Sequence, residues 1–444
     1  MAVRRPEKRP LRLRLLGGLV LCVVTLYCGP KARHEKGRGS NGAGLYPELA
    51  AFGFSQGASP ALVSSVARLS VLMPSFEHAH REIARRGVSL NLKTVRRISQ
   101  RLGLEMLTAR KGDLMAWRAG ALPAGKELAS KRIGVAIDGG RTRLRENRRP
   151  QKRKGKRITR RRKYDARWRE PKLLIIFELD DQGRMKRGTR AWIDGTFQGP
   201  NHLMELVAFH LHRLGAAHAE SVAFLSDGAP WIWDRLTWVQ QKVGLPAKQA
   251  HRILDFCHAV HHVSLALEQL QLSDEARARI YHRLRNHLRG GRVHRVLEEL
   301  RERAARKRRD HEVWREIEYL RKHAPHMAYK ALRDAGLPMG SGAIESAIRR
   351  VVNQRLKGNG ITWLEENAEA MLVLRAAALT DRWEESLEHV RATMAQSRRL
   401  DWQWSSPDIP TELQRHPPDL KPPQDSDAQP PQPLDNKGAI AIIA

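Results

Sequence analysis

Two aspartates of the sequence each end an apolar run and stand immediately before a glycine, in AIDGG and in LSDGAP. They are Asp138 and Asp227, and the runs before them have the length and composition of buried strands. If those strands are neighbours in one sheet, the two carboxylates meet at its edge and can share divalent cations. Two such ions, roughly 3.5 to 4 Å apart, cleave phosphodiesters by activating the attacking oxygen and stabilising the leaving one. The alternative is that each Asp-Gly pair only begins a turn.

A third candidate carboxylate is Glu345, which lies in GSGAIESAIRR. Gly340 and Gly342 give a flexible start to a predicted helix, and Glu345 falls in its first turns, where it can face the sheet. Mg²⁺ prefers oxygen ligands and keeps some of its waters, so two or three carboxylates suffice to bind it. The alternative for Glu345 is a salt bridge with Arg349, four residues further along the helix.

A fourth acid shows why local sequence alone does not identify such a site. Asp194 in WIDGTF has the same form as Asp138 and Asp227, but it ends the third predicted strand. That strand is expected on the outside of the sheet, so we predict that Asp194 lies away from the other two aspartates.

The stretch LDFCHAVHH, residues 254–262, contains further residues that can do chemistry. Zinc binding needs partners elsewhere, yet the other two cysteines lie more than two hundred residues away. A cysteine nucleophile needs a cleft for a small substrate, which so basic a chain does not suggest. Asp255 and His258 are instead expected where the fifth strand passes into a helix, next to the strands of Asp138 and Asp227. We therefore predict that they support the acid pair without binding its metal. Cys257 is predicted to pack in the core, and the last two histidines stay unassigned.

The elements that hold these residues are predicted from apolar patterns and turn residues. Strands are indicated by KRIGVAID, PKLLIIFELDDQG, GTRAWIDGTF, SVAFLSDG and HRILDF, with the helical pattern NHLMELVAFHLHRLGA after the third. This order predicts an α/β fold with a ribonuclease-H-like mixed sheet. We assign residues 126–262 to the first part of this core, 263–338 to an all-helical insertion, and 339–400 to the C-terminal helices of the core, with Glu345.

The charge of the chain points to a polyanionic partner. Its 444 residues include 80 Lys and Arg against 47 Asp and Glu, a formal net charge of +33. Double-stranded DNA is the partner that we predict, because neutralised phosphates release their counterions. An anionic membrane surface is the competing interpretation. Three cysteines are too few for a disulfide framework and fit a reducing cytosol.

Residues 141–172 form a basic arm between the first two predicted strands. They hold seventeen Lys and Arg against three acids. Aromatic residues are interleaved with the basic ones, which is typical of a nucleic-acid surface. A solvated, disordered segment is the alternative. The residues of the arm that we predict to contact DNA are Arg141, Arg143, Lys152, Lys154, Arg160, Arg161, Arg162, Lys163 and Trp168.

Residues 61–125 are predicted to form a small helical domain that binds DNA. Within FEHAHREIARRGVSLNLKTVRRISQRLG, a break at Gly87 separates two amphipathic helices, and Ser89 or Asn91 can cap the second. This is the outline of a helix-turn-helix, in which the second helix presents basic residues to DNA. A basic amphipathic helical hairpin is the alternative. The basic residues concerned are Lys93, Arg96 and Arg97.

The two ends of the chain differ in composition from the rest. Residues 1–60 are atypical: they open with a basic stretch and an apolar run that resemble a secretory signal, although the run is too short to span a membrane. We prefer a β-hairpin with a two-residue turn at Gly17 and Gly18, because nothing downstream looks secreted. Residues 401–444 are rich in proline and are predicted to be disordered or extended.

With these residues placed, the chain resembles bacterial insertion-sequence transposases of the DDE class, most closely those of the ISKra type. The resemblance spans residues 61–384 and rests on AIDGGRTR, WREPKLL, FLSDGAPWIWDRL, ILDFCHAVHHV and MGSGAIESAIRRVVNQRLKGNGITWLEENAEAMLVLRAAALTDRW. It implies that Asp138, Asp227 and Glu345 are the catalytic triad and bind two Mg²⁺ or Mn²⁺ ions. It also implies cleavage at transposon ends and joining of the 3′ hydroxyl to target DNA.

The resemblance bears on LDFCHAVHH as well. The spacing of Asp255 and His258 is similar to an Asp-x-x-His signature of several transposase families, which implies that His258 supports the acidic site or contacts the scissile phosphate.

We therefore predict a cytoplasmic, nucleoid-associated transposase that acts on double-stranded DNA as a homodimer or higher oligomer and does not bind membranes. Two other classes stay open. One is a catalytically inactive or repurposed DNA-binding protein derived from a transposase, and the other is a secreted or membrane-anchored basic protein.

Overall fold

A computed structural model describes residues 7–28, 46–147, 164–308, 310–358 and 360–401, apart from the side chains of 147 and 396–401. The strands in these ranges are β1 (Glu7–Arg14), β2 (Val20–Tyr27), β3 (Arg132–Gly139), β4 (Thr142–Asn147), β5 (Tyr164–Arg169), β6 (Lys172–Glu178), β7 (Trp192–Thr196), β8 (Ser221–Ser226) and β9 (Ala250–Leu254). The α-helices are α1 (Pro47–Ala51), α2 (Pro60–Leu72), α3 (Phe76–Arg85), α4 (Leu92–Arg118), α5 (Pro200–Leu214), α6 (Pro230–Val243), α7 (Phe256–Glu268), α8 (Asp274–Arg289), α9 (Val293–Ala304), α10 (Glu312–His323), α11 (Tyr329–Asp334), α12 (Gly342–Ile348), α13 (Glu365–Leu379) and α14 (Trp383–Asp401).

The central sheet has five strands in the described part of the chain, in the order β7-β6-β3-β8-β9. β6 lies antiparallel to both β3 and β7, whereas β8 lies parallel to both β3 and β9. β8 is buried along its whole length, which explains its unbroken apolar sequence. The prediction of an α/β fold with a mixed sheet built from these five segments is confirmed.

The first helices pack on the C-terminal ones. α3 and α4 are separated by a turn at Gly87, as predicted, and the side chain of Asn91 caps α4 by accepting from Thr94 N at 2.8 Å. α4 continues through Gly103 and runs to Arg118. A Cβ on Gly103 would lie only 2.7 Å from the Cβ of Ala370, so this glycine allows α4 and α13 to approach closely.

Two buried arginines fasten α2 to the C-terminal region. Arg355 Nε donates to the carbonyl oxygen of Ser70 at 3.3 Å, and Arg375 donates to the carbonyl oxygens of Val71 and Val351. Burial lowers the pKa of both guanidinium groups to about 10. The carbonyl groups at the end of α2 are thereby satisfied by side chains distant in sequence.

The base of the basic arm is a two-stranded ribbon, β4 and β5, that the sequence had not predicted as strands. Thr142 and Leu144 are buried on one face of β4. Arg143 O accepts from Trp363 N at 3.2 Å, and Arg145 N donates to Trp363 O at 2.8 Å, so the ribbon is attached to the segment before α13. The rest of the arm, residues 148–163, lies outside the described residues.

The N-terminal segment contains the hairpin that we preferred to a signal sequence, but its loop is longer than predicted. The register pairs Arg14 with Val20, and Leu15 N donates to Leu19 O at 2.8 Å. Gly17 and Gly18, both at positive φ, lie inside this loop and do not form a two-residue turn. Within the described residues, no helix combines the length and apolar character that crossing a membrane requires. Residues 402–444, most of the predicted tail, are outside the described part.

The segment predicted as an all-helical insertion is helical, from α8 to α11. The predicted start of this segment, residue 263, falls inside α7, which begins at Phe256 and continues to Glu268. We refer to α8–α11 as the helical block. α10 packs along α7, and α12 packs against β3 and β6. The C-terminal region then continues through a π-helical turn at Arg349–Asn353 into α13 and α14.

Candidate active site

Asp138 and Asp227 lie side by side at the carboxyl ends of two neighbouring strands of the sheet. β3 and β8 are parallel neighbours, and Ala136 pairs with Leu225, which puts Asp138 level with Asp227 two residues further on. Burial raises the pKa of Asp138 to about 6, although Gly139 N donates to its carboxylate at 2.6 Å. The negative charge of Asp227 adds to the rise. The structure therefore brings together the two aspartates that we predicted as a pair.

Glu170 is an acid of this site that sequence reasoning missed. Its carboxylate lies against Gly139, where any Cβ would collide with it, and its charge contributes to the raised pKa of Asp138. Lys172 Nζ lies 3.1 Å from Glu170 Oε2, and the same ammonium group sits 5.0 Å from the ring centroid of Trp231. The signal in the sequence was WREPKLL, in which we had assigned no role to the glutamate.

Asp255 connects three elements at the site. It is 1% exposed and caps α7, with Oδ1 accepting from His258 N at 2.8 Å and lying 3.1 Å from His258 Nδ1. Its Oδ2 accepts from Ser341 N and Oγ at 2.5 and 2.7 Å. Although burial raises the pKa of Asp255, these hydrogen bonds lower it to about 2. Asp255 thus fixes both His258 and the start of α12, as expected of a supporting residue.

His258 faces the acid pair. Its hydrogen bond to Asp255 raises the pKa of the imidazole despite burial, and the charges of Asp227 and Asp138 raise it further. The protonated ring is therefore favoured beside the two carboxylates. A cation in this position fits either role that we predicted for His258.

Glu345 is the third carboxylate that we predicted for the site. It lies in α12, within its first turn as predicted, but it is exposed. Its charge acts on Cys257, whose pKa is raised by burial and by the charges of Asp255 and Glu345. Cys257 is itself exposed, so its predicted place in the core is wrong. Among the described residues, no group of three or more His, Cys, Asp or Glu side chains is arranged to hold a metal ion.

Comparison of the chain with protein-family models, curated proteins and solved structures finds no match. The resemblance to DDE transposases therefore stays a prediction, and the site has to be judged from its own geometry and charges.

The donor set of the acid pair fits a hard divalent cation. Asp138 and Asp227 offer carboxylate oxygens, and Glu170 lies close enough to influence Asp138. Mg²⁺ and Mn²⁺ prefer such ligands, whereas zinc favours nitrogen and sulfur. Two half-buried acids that repel one another gain from a cation between them. The charge of Asp227 contributes to the raised pKa of Asp138, although burial is its main cause.

An exposed basic and aromatic surface borders the acid pair. The guanidinium carbons of Arg141 and Arg143 lie 4.7 and 5.8 Å from the ring centroid of Trp168, whose side chain is about half exposed. Arg141, Trp168 and Glu170 line a cleft together with Lys357 of the C-terminal region. Three of the predicted arm contacts therefore lie beside the site. The other six, Lys152, Lys154, Arg160, Arg161, Arg162 and Lys163, fall outside the described residues.

The basic residues predicted on the second helix are exposed in the first two turns of α4. Arg96 forms an ion pair with Glu77 of α3, and Arg97 donates to the side chain of Gln56 at 3.3 Å. Lys93 is also exposed. The surface is basic and accessible, as a DNA contact requires.

Asp194 lies on the edge strand β7, away from the pair as predicted. Arg110 Nη1 donates to Asp194 Oδ1 at 2.6 Å and Nη2 donates to Glu369 at 2.9 Å. His210 Nε2 lies 2.9 Å from Asp194 Oδ2. This aspartate is part of a buried ion-pair network that joins α4, α5 and α13 to the sheet.

Proposed function

We propose that the protein is a DNA transposase that cleaves and joins DNA strands with divalent metal ions held by carboxylates. The observation that carries the proposal is the acid pair, with Asp138 and Asp227 level on adjacent parallel strands and a pKa of about 6 for Asp138. The strand order β7-β6-β3-β8-β9 supports a ribonuclease-H-like assignment of the sheet. Such a sheet offers its active site where those two strands end.

The residues of the acid pair would hold Mg²⁺ or Mn²⁺. When bound, two such ions supply activation of the attacking oxygen and stabilisation of the leaving oxygen. Asp138 and Asp227 are the proposed shared ligands, and Glu345 of α12 is the proposed third ligand on the basis of the resemblance. Glu170 is a competing third donor, since its charge already acts on Asp138.

His258, oriented by Asp255, would contact the DNA substrate. Asp255 orients the imidazole of His258 and favours its protonated form. We propose that this cation contacts the scissile phosphate next to the acid pair. Negative charge develops on the phosphodiester oxygens in the transition state, and a fixed donor stabilises it better than water does.

Double-stranded DNA is the proposed substrate, at element ends and at the target. The basic ribbon with Trp168 borders the acid pair, and the start of α4 offers a second basic surface. Because two element ends have to be joined in one reaction, we propose a homodimer or higher oligomer on DNA, acting at the nucleoid in the cytoplasm.

Nicking of supercoiled plasmid tests the proposal without knowledge of the element ends. We expect the full chain to nick plasmid in the presence of Mg²⁺ or Mn²⁺ and to lose this activity when the metal is chelated. Asp138→Asn should reduce nicking by at least about 100-fold, more than the loss typical of a residue that only supports a metal ligand. Asp234→Asn, an exposed acid of α6, is the matched control and should nick like wild type. Equal nicking by wild type and Asp138→Asn would contradict the proposal.

A DNA-binding protein without catalysis is the second candidate function. It is favoured by the exposed position of Glu345 and by the lack of a ready three-ligand metal group among the described residues. This candidate predicts salt-sensitive DNA binding by wild type with no metal-dependent nicking, and binding that Asp138→Asn leaves unchanged.

A further inference from the structure

The loop that carries Asp227 is packed directly against α10 of the helical block. Gly228 has a φ of +84°, and a Cβ at this position would lie 2.8 Å from Tyr319 Oη, 3.0 Å from Leu254 Cδ1 and 3.1 Å from His323 Nε2. Glycine is required here by both the backbone angle and the space. Side chains of α10 therefore pack directly against the loop that carries Asp227.

Tyr319 holds this loop through its main chain. Its hydroxyl donates to the carbonyl oxygen of Asp227 at 2.5 Å. A phenol keeps its proton at neutral pH, so the hydroxyl is the donor in this bond. Within the loop, the carboxylate of Asp227 accepts from Ala229 N at 2.9 Å. The tyrosine thus fixes the backbone, and the loop fixes the carboxylate.

Tyr319 is itself held by neighbours on α7 and α10. Its ring stacks on His262, with the centroids 3.5 Å apart and 20° between the planes. His262 Nδ1 lies 2.5 Å from Oε2 of Glu316, a carboxylate that is 4% exposed. His323 packs against the Tyr319 ring with 4.7 Å between centroids. Because His262 and His258 both lie on α7, this stack joins the helix that carries His258 to the loop that carries Asp227.

We propose that Tyr319 is the residue by which the helical block positions Asp227 for metal binding, with His262 and Glu316 holding the tyrosine ring. The inference rests on the proposed function, in which Asp227 is a metal ligand. It gives the helical block a part in the acid site itself, beyond any contact with DNA. Groups that orient a ligand in this way typically alter metal affinity when they are removed.

Tyr319→Phe tests the proposal because it removes the hydroxyl and keeps the stacked ring. The full chain without DNA is titrated with Mn²⁺, and free Mn²⁺ is measured by electron paramagnetic resonance. We expect Tyr319→Phe to bind Mn²⁺ about tenfold more weakly than wild type, with a Tm within about 2 °C of wild type. Tyr281→Phe, a half-buried tyrosine of α8 in the same block, is the matched control and should bind like wild type.

Glu316→Gln provides a second variant, which loosens His262 and leaves the hydroxyl in place. It should weaken Mn²⁺ binding in the same direction by a smaller factor, about threefold, the equivalent of less than one neutral hydrogen bond. Equal Mn²⁺ affinity in wild type and Tyr319→Phe overturns the proposal. It is also overturned if Tyr281→Phe weakens binding as much, or if affinity returns to the wild-type value once the temperature is lowered to restore folding.

Failure of the proposed function has a different signature from failure of this inference. Wild-type protein that binds Mn²⁺ but nicks no plasmid contradicts the transposase proposal, while the comparison of Mn²⁺ affinities still decides the role of Tyr319. Wild-type protein that nicks plasmid, with Tyr319→Phe binding Mn²⁺ equally well, contradicts only the inference. Wild-type protein that binds no Mn²⁺ overturns both.

Discussion

Asp194 and Asp138 share the sequence Ile-Asp-Gly near the end of a strand, yet the structure gives them opposite electrostatic surroundings. Asp194 is buried, and Arg110 and His210 both contact it. Burial alone would raise its pKa, but the charge of Arg110 and the hydrogen bond from His210 hold it far below the usual range. This carboxylate contributes to stability.

Asp138 has acids as its neighbours. Burial, Asp227 and Glu170 together raise its pKa to about 6, against the opposing effects of Gly139 N and His258. A carboxylate kept in such surroundings costs stability, which is common for residues that bind ligands or do chemistry. The comparison teaches that the Asp-Gly pattern indicates where an acid lies in the fold, while its neighbouring charges indicate what it does.

The largest expected difference between the two acids is in stability. Asp194→Ala leaves Arg110 with only part of its buried ion-pair network and should lower the free energy of unfolding by about 3 kcal/mol, measured by urea denaturation at pH 7. Asp138→Ala should not lower it. If the two variants lose the same stability, the electrostatic contrast between the sites is wrong.

The pH dependence of stability gives the sign of the same contrast. For Asp138 the folded state binds its proton more tightly than the unfolded state does, so stability falls as pH rises from about 4 to about 6. Asp138→Asn should remove this contribution. For Asp194 the sign is reversed, because its stabilising charge is lost only as pH falls below the unfolded pKa of about 3.9.

Metal-dependent nicking should fall steeply in acid if Asp138 is a ligand. A carboxylate with a pKa of about 6 must lose its proton to bind metal, so below that pH we expect the apparent Mn²⁺ affinity to fall by about tenfold per pH unit. Asp227→Gln would weaken Mn²⁺ binding only because it removes the other ligand. The decisive measurement is therefore the pH dependence of Mn²⁺ affinity in wild type. If the apparent Mn²⁺ affinity of wild type did not change between pH 5 and 7.5, Asp138 would not titrate in the site.

The smallest expected effect is on DNA binding by the surface beside Asp138. Trp168 is exposed beside Asp138, and stacking on a base is worth about 1 to 3 kcal/mol, so Trp168→Ala should weaken DNA binding by roughly fivefold or more. Trp238→Ala, on α6 and similarly exposed, is the matched control. Fluorescence anisotropy with a labelled duplex measures both. Equal weakening by the two variants would place the DNA elsewhere.

Much of the sheet could be predicted because its strands carry their own signals. β3, β6, β7, β8 and β9 are apolar runs bounded by turn residues, and the order of strands and helix along the chain indicated which of them are neighbours. The level position of Asp138 and Asp227 followed from that order. The junction of β9 and α7 at Asp255 was predicted for the same reason.

What could not be predicted depends on contacts between distant segments. Among the β4 residues whose side chains the structure describes, Thr142 and Leu144 alone are buried, and charged residues stand beside them, so the alternation was hidden in the basic arm. The close packing of α4 on α13 at Gly103 depends on Ala370, a residue far along the chain. The pairing of Asp255 with Ser341 joins residues 86 positions apart. None of these has a local sequence signature.

The single helix α4 has a consequence for how the proposed transposase would select its cutting position. It is 27 residues long, or about 40 Å, with exposed basic residues in its first turns and α13 packed against it near Gly103. Arg355 and Arg375 fasten the preceding helix α2 to the same C-terminal region. The turns of α4 that we propose to contact DNA are thus joined to the C-terminal region by packed helices and by hydrogen bonds of buried arginines. The number of base pairs between the recognised sequence and the cleaved phosphate would be a fixed property of the folded chain.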